Sequence, residues 1–262
     1  SEGLVDKNLD EGRKFQFMGV VRLGEGSSIT LDPKVHSDGS DPVASLGQIW
    51  INMSEDGTTA SPNSLTAILG DLTASGGSIR IGGSDKFPDA NPISPKVTVD
   101  LGSASQIRVD GTALYLPDPK GLRKRYGIMA DAGNILVRGA VAGREGSLLS
   151  ADGSSAVFDD LGPVATRRLD GSGGNITLMG GDLLFIDSRL SAASGGITGL
   201  GGSLKISSSR FVSPLSPALP QVNDPNNPLS DADTIAMRLS MRIFTSGSAL
   251  GTEFAAASDT SI

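Results

Sequence analysis

Short runs in which apolar and polar residues alternate recur along the chain, each bounded by glycine or another small residue. In LTASGGSIRIGG (Leu72 to Gly83), AGNILVRG (Ala132 to Gly139), GGNITLMGG (Gly173 to Gly181) and GGSLKIS (Gly201 to Ser207), a small turn leads into Ser or Asn and then into Ile or Leu at alternate positions. Successive side chains leave a strand on opposite sides, so this period marks half-buried strands. Ile79 with Ile81, Ile135 with Val137, Ile176 with Leu178, and Leu204 with Ile206 are expected on one face, and Asn134, Thr177 and Lys205 on the other. A second signature closes a strand: LTASGG at Leu72, LSAASGG at Leu190 and LLSADGS at Leu148. The spacing from Gly77 to Gly133 to Gly174 to Gly202 is uneven, which makes this a degenerate repeat. Short strands at turn-marked intervals predict an all-β chain, and imperfect self-similarity predicts a solenoid.

Composition sharpens that picture. Thirty-five glycines in 262 residues is far above ordinary usage. Glycine inside a helix or strand costs about 0.5–1 kcal/mol relative to alanine, so the glycines are expected at corners, some with positive φ. Aromatic residues make up only 4% of the chain, with Trp50, Tyr115 and Tyr126 the sole Trp and Tyr. A narrow core of stacked Ile, Leu and Val does not need them. The net charge of −7 gives no electrostatic footprint for nucleic acid. No run reaches the roughly 18 apolar residues that a membrane span requires, and the first residues lack the pattern of a signal peptide. Cysteine is absent, which excludes disulfides, thiolate metal sites and a cysteine nucleophile.

The stretches GGNITLMGGDLLFIDSRLSAASGG, GGSLKIS and AGNILVRGAVAGREGSLLSADGS resemble the shaft repeats of the filamentous haemagglutinin family, the large bacterial exoproteins exported by two-partner secretion. The resemblance runs from about Ala67 to Ser209. Ser1 to Thr66 fits less well, although GSSITLDP (Gly26 to Pro33) and GQIWINMS (Gly47 to Ser54) read as strands. It implies a right-handed parallel β-helix (β-solenoid) with loop insertions, secreted and displayed on the bacterial cell surface as part of a fibre. It also implies an outer-membrane two-partner transporter during export and a host or matrix glycan or protein as ligand. The Asn-Pro-Asn-type motifs of the family's secretion domain are not found, which points to the shaft or its distal part.

Coils of roughly 20–30 residues would number nine to thirteen before insertions are subtracted. Open strand edges at the ends of such a stack are sticky, so end-to-end self-association is expected. The coils are expected over residues 1–212, with insertions near 84–96, 116–127 and 154–170. A Pro/Asn/Asp-rich linker follows at 213–234. Residues 235–262 are expected to form a terminal strand segment that stacks on the helix or caps it, because Ile235, Met237, Leu239, Met241 and Ile243 alternate with Arg238, Ser240 and Arg242.

Candidate chemistry is sparse. The insertion LPDPKGLRKRY (Leu116 to Tyr126) carries the densest cationic cluster, Lys120, Arg123, Lys124 and Arg125, and is the candidate contact for an anionic glycan. The competing reading is a loop whose charges simply hold it in water. A second loop, DDLGPVATRR (Asp159 to Arg168), has acidic and basic ends that are expected to close on each other.

Parallel β-helices also include polysaccharide lyases and hydrolases, so a carbohydrate-active enzyme is the alternative function. Its letters are scattered here: Asn8-Leu9-Asp10, the pair Asp159–Asp160 and the single histidine His36. Glycoside cleavage needs two carboxylates about 5–10 Å apart across the sugar, whereas adjacent residues of a strand diverge. No catalytic residue, cofactor or metal is therefore assigned. Ser37 to Asp41 and Asp170 to Asn175 offer oxygen ligands for calcium, but read more simply as Asx turns. Asn52-Met-Ser and Asn175-Ile-Thr match the glycosylation pattern. The expected function is structural and adhesive, not enzymatic.

Overall fold

The computed structural model describes residues 14–36, 43–54, 64–83, 97–118, 121, 124–159, 166–208, 241–245 and 252–256. Its described residues form strands and turns, with no helix among them. Among the described residues no helix is long and apolar enough to cross a membrane.

The chain passes repeatedly through the same three strand positions. The first passage is β1 (Lys14–Phe17), β2 (Val20–Leu23) and β3 (Ser28–Leu31), followed by a hairpin of β4 (Lys34–His36) and β5 (Val43–Ser45). The second is β6 (Gln48–Ile51), β7 (Leu65–Ile68) and β8 (Asp71–Ala74), and the third β9 (Ser78–Gly82), β10 (Val99–Leu101) and β11 (Gln106–Arg108). A hairpin of β12 (Thr112–Leu116) and β13 (Tyr126–Ala130) comes next. The fourth passage is β14 (Asn134–Gly143) and β15 (Leu148–Ser150), then the hairpin of β16 (Ser155–Asp159) and β17 (Thr166–Asp170). The fifth is β18 (Asn175–Ile186) and β19 (Arg189–Ser191), and β20 (Ser203–Ser208) opens a sixth. Beyond them β21 (Met241–Thr245) pairs antiparallel with β22 (Thr252–Ala256) in a sheet of its own.

Three parallel ladders result. The first stacks β1, β6, β9, the first half of β14, the first half of β18, and β20. The second stacks β2, β7, β10 and the second halves of β14 and β18. The third stacks β3, β8, β11, β15 and β19. The ladders surround one apolar core in a nearly closed, barrel-like arrangement. With strands about 4.8 Å apart, the six strands of the first ladder span about 24 Å.

Register explains the core. Ile49, Ile79, Ile135 and Ile176 follow one another along the first ladder and are all buried, as are Ile51, Ile81, Val137 and Leu178 two residues on. On the third ladder Leu72, Ile107 and Leu149 do the same. Burying each such side chain stabilises by about 1.5–3 kcal/mol relative to leaving it in water, and a stack of like residues repeats that gain at every level.

Several expectations change. Among the described residues strands are in register from Lys14 onward, so the stretch before Ala67 takes part in the ladders despite its weaker pattern. Leu204 and Ile206 do follow Ile176 and Leu178 in register, but they are 40% and 37% exposed because no described strand lies on their far side. The insertions near 116–127 and 154–170 are the outer parts of antiparallel hairpins, not loops alone. The insertion at 84–96, the linker at 213–234 and residues 235–240 lie outside the described residues.

Six described glycines hold positive φ, as expected of corners, but the glycines that lead into the first ladder have a different reason. Gly173, Gly174, Gly195 and Gly196 all lie between strands, but none has positive φ. Gly47, Gly77, Gly133, Gly174 and Gly202 precede successive strands of the first ladder and stack on one another. The carbonyl of each of the first four accepts an amide N–H from the next level, from Ser78, Asn134, Asn175 and Ser203 at 2.9–3.0 Å. A Cβ on Gly77, Gly133, Gly174 or Gly202 would overlap the carbonyl oxygen of the glycine below. Close backbone approach, rather than turn conformation, selects these residues.

Candidate binding surface

The hairpins after the third and fourth passages leave from the same corner, between the third ladder and the first, and lie against each other. In the first of them Thr112 to Leu116 pairs with Tyr126 to Ala130, which puts Lys124 and Arg125 of the cationic cluster at the tip. Lys120 and Arg123 lie outside the described residues. Asp118 organises the rest of the tip: its carboxylate accepts the Lys124 amide N–H at 3.1 Å and its carbonyl accepts that of Gly121 at 3.0 Å. Gly121 has φ +66°, a conformation that favours glycine.

Arg125 turns toward the neighbouring hairpin. Its guanidinium donates to Asp159 Oδ1 at 3.0 Å, its amide donates to Asp159 Oδ2 at 2.7 Å, and the Asp159 amide donates back to the Arg125 carbonyl at 3.0 Å. The side-chain hydrogen bond from Arg125, then its amide N–H, holds the Asp159 carboxyl below the ordinary carboxylate range. The same hydrogen bond and the charge of Asp159 raise the Arg125 guanidinium further above its already high value. The charge of Arg125 is thus compensated on the spot. The ends of the second hairpin are brought together by its strand pairing, with Asp159 opposite Thr166 and Phe158 opposite Arg167; the Asp159 carboxylate meets Arg125, while Arg168 bonds Asp170 at 2.8 Å and Ser155 at 3.1 Å.

Beside the ion pair two aromatic rings meet. Tyr115 faces Gly127 across the first hairpin, and Phe158 reaches over from the second, its ring 5.5 Å from that of Tyr115 and tilted by 41°. A Cβ on Gly127 would lie 3.0 Å from the Phe158 ring, so that ring covers the glycine. Phe158 is buried and Tyr115 is 56% exposed. The two tips therefore present one ring, held from beneath, next to an oriented carboxylate–guanidinium pair. A ring face and charge-assisted donors and acceptors suit the apolar face and the hydroxyls of a sugar.

The other sequence candidates do not converge. His36 ends β4, with Val43 as its strand partner. Asn8, Asp10, Asp160 and the turn from Ser37 to Asp41 lie outside the described residues. In Asp170 to Asn175 the oxygens are already engaged: Asp170 accepts from Arg168 and from the amide and hydroxyl of Thr198, and Asn175 exchanges bonds with Asn134 and Ser203. Among the described residues no group of three or more His, Asp or Glu could hold a metal ion. Asn52, the acceptor of one glycosylation pattern, is fully buried, with its side chain bonded to Gly19 and Thr66. The roles of Tyr115 and Asp159 were hidden from sequence reasoning because their partners are distant in the chain; the sequence marks neither contact.

No family model, no curated protein and no solved structure matches the chain.

Proposed function

We propose that this chain is a structural and adhesive segment of a secreted, surface-displayed bacterial exoprotein of the filamentous haemagglutinin type, wound as a right-handed parallel β-helix. The observation that carries the reading is the constant register of the three parallel ladders: each inward position stays inward from level to level, so the architecture grows by repetition while hairpins leave it at a shared corner. Connections between parallel strands of one sheet are right-handed in about 98% of cases, which supports that hand for the winding. A repeating scaffold with hairpins on one side suits display, and the cluster of Tyr115, Arg125 and Asp159 suits contact with a host or matrix glycan. The outer-membrane transporter of the two-partner type is the export partner in this reading, and the cell surface the destination.

A screen of acidic and neutral glycans, with binding and depolymerisation read separately, tests it. Binding without cleavage supports an adhesive segment. Cleavage of any glycan makes the chain an enzyme and overturns the reading.

A further inference from the structure

The outer face of the second ladder leaves large apolar side chains in water. One of its rows runs Arg22, Ala67, Asp100, Ala142, Phe185 from the first level to the last, and Val20 and Leu65 stand side by side in the row next to it. Val20 is 78% exposed, Leu65 46% and Phe185 55%, with the half-buried Ala67 and Ala142 between them. Charge is placed at the two ends of this strip. Arg22 lies on the first level, and Asp187, two residues beyond Phe185, lies at the last. At about 4.8 Å per level they are about 19 Å apart, too far to pair within one chain. Among the described residues neither side chain makes a hydrogen bond or an ion pair. Asp100, in the middle, is already held at both oxygens by Arg144, at 2.7 and 2.9 Å.

We propose that this face joins two copies of the chain side by side, with their stacking axes antiparallel. A twofold axis across the middle level turns the first level of one copy onto the last level of the other. Arg22 of each copy then meets the Asp187 end of the other, so two separated and uncompensated charges become two ion pairs. Phe185 of each copy lies over the Val20 end of the other, and the small Ala67 and Ala142 let the two sheets approach to the ordinary packing distance of about 10 Å. The two copies of Asp100 that meet at the centre are each neutralised by their own Arg144. A parallel copy would set Arg22 against Arg22 and Asp187 against Asp187, and like charges in apposition reject that arrangement. The antiparallel interface uses the same patch on both copies, so it closes at a dimer. It involves neither the hairpin tips nor the open end at β20, and its failure would leave the adhesive reading untouched.

Sedimentation velocity of the full chain over a concentration series tests the proposal. The strip is smaller than the roughly 800 Å² per partner of a standard interface, so a reversible dimer with a dissociation constant in the micromolar range or above is expected. Arg22→Glu sets a carboxylate against Asp187 of the other copy and should weaken dimerisation by about tenfold or more. Asp187→Arg should do the same by opposing two cations. The double variant Arg22→Glu with Asp187→Arg restores opposite charges across the axis and should return the affinity of the parent. Thr30→Glu, on the outer face of the third ladder, should change nothing. Melting temperatures of all four variants should stay close to that of the parent, since surface changes of this kind are usually within about 0.5 kcal/mol. A monomer at every concentration would leave the face to a different partner and overturn the proposal. Dimerisation untouched by Arg22→Glu, or a double variant no better than the single ones, would overturn it as well.

Discussion

The carbonyl oxygen of Gly77 occupies the place where a side chain on Gly133 would begin. That oxygen accepts the amide N–H of Asn134 at 2.9 Å, so neither backbone can retreat without breaking the ladder. Gly133→Ala should therefore destabilise by about 1–3 kcal/mol or more, the range for forcing atoms into filled space. Gly24 has open space around it and no positive φ, so Gly24→Ala should be near neutral. Thermal melts of the two variants check the contrast. Equal melting points would remove close approach as the reason for the glycine stack.

Ile176 is 1% exposed and its neighbour in register, Leu204, is 40% exposed. Ile176→Asp buries an unpaired carboxylate and should cost several kcal/mol. Leu204→Asp leaves the new charge in reach of water and should cost about 1 kcal/mol or less. Denaturant midpoints measure the difference. A milder effect at position 176 than at 204 would mean that the ladder is read in the wrong direction.

Asn52 holds the corner between β6 and β7 with φ +52°, the one described non-glycine residue with positive φ. Its amide oxygen accepts from the Gly19 N–H at 2.6 Å, and its amide nitrogen donates to the Gly19 carbonyl at 2.8 Å and to Thr66 Oγ1 at 2.9 Å. Asn52→Ala leaves buried polar groups unmatched and keeps the awkward backbone, a loss of about 3 kcal/mol. Asn52→Gly relieves the backbone alone and should be the milder change. Chemical denaturation ranks the pair, and the reverse order would show that the positive φ at this corner carries little strain.

Asp159 and Asp170 titrate below the ordinary carboxylate range, Asp159 because of Arg125, and Asp170 because of Arg168 and then Thr198. A depressed folded-state value stabilises the fold above the unfolded carboxyl pKa of about 3.9, and the contribution is lost as pH falls below that through the folded values. Melting temperature should therefore drop as the solution is acidified past about pH 4. The double variant Asp159→Asn with Asp170→Asn should show a smaller drop over the same range. An identical acid profile in the variant would show that other groups control it.

The ladder was legible in the sequence wherever Ile, Leu or Val alternated after glycine. Ile79, Ile135 and Ile176 announce their face because a strand has only two. Lys14 to Phe17 was harder to read, since a four-residue run with Lys and Gln outward carries little signal without its neighbours. The hairpins look like loops in the sequence because proline and charge between their strands mask the paired residues. The Arg125–Asp159 pair and the Tyr115–Phe158 contact join segments far apart in the chain, and local pattern holds no record of such meetings. Repeated glycine in the sequence indicates a special backbone position, and only the packed levels distinguish close approach from positive φ.

Successive passages stack one level apart in a fixed register, and engineered disulfides test that stacking directly because the chain has no cysteine of its own. Asn134 and Asn175 are partners on adjacent strands, exposed on the outer face. Their Cα atoms are expected to lie about 4.8 Å apart, within the roughly 4.4–6.8 Å that a disulfide spans. Asn134 and Ser203 lie two levels apart in the same row, about 9.6 Å, which is too far. Under mild oxidation the Asn134→Cys, Asn175→Cys chain should close its disulfide within the monomer, while the Asn134→Cys, Ser203→Cys chain should keep free thiols. Quantitative thiol titration of the two folded proteins reads the result. An open first pair, or a closed second one, would contradict the stacked register on which the account rests.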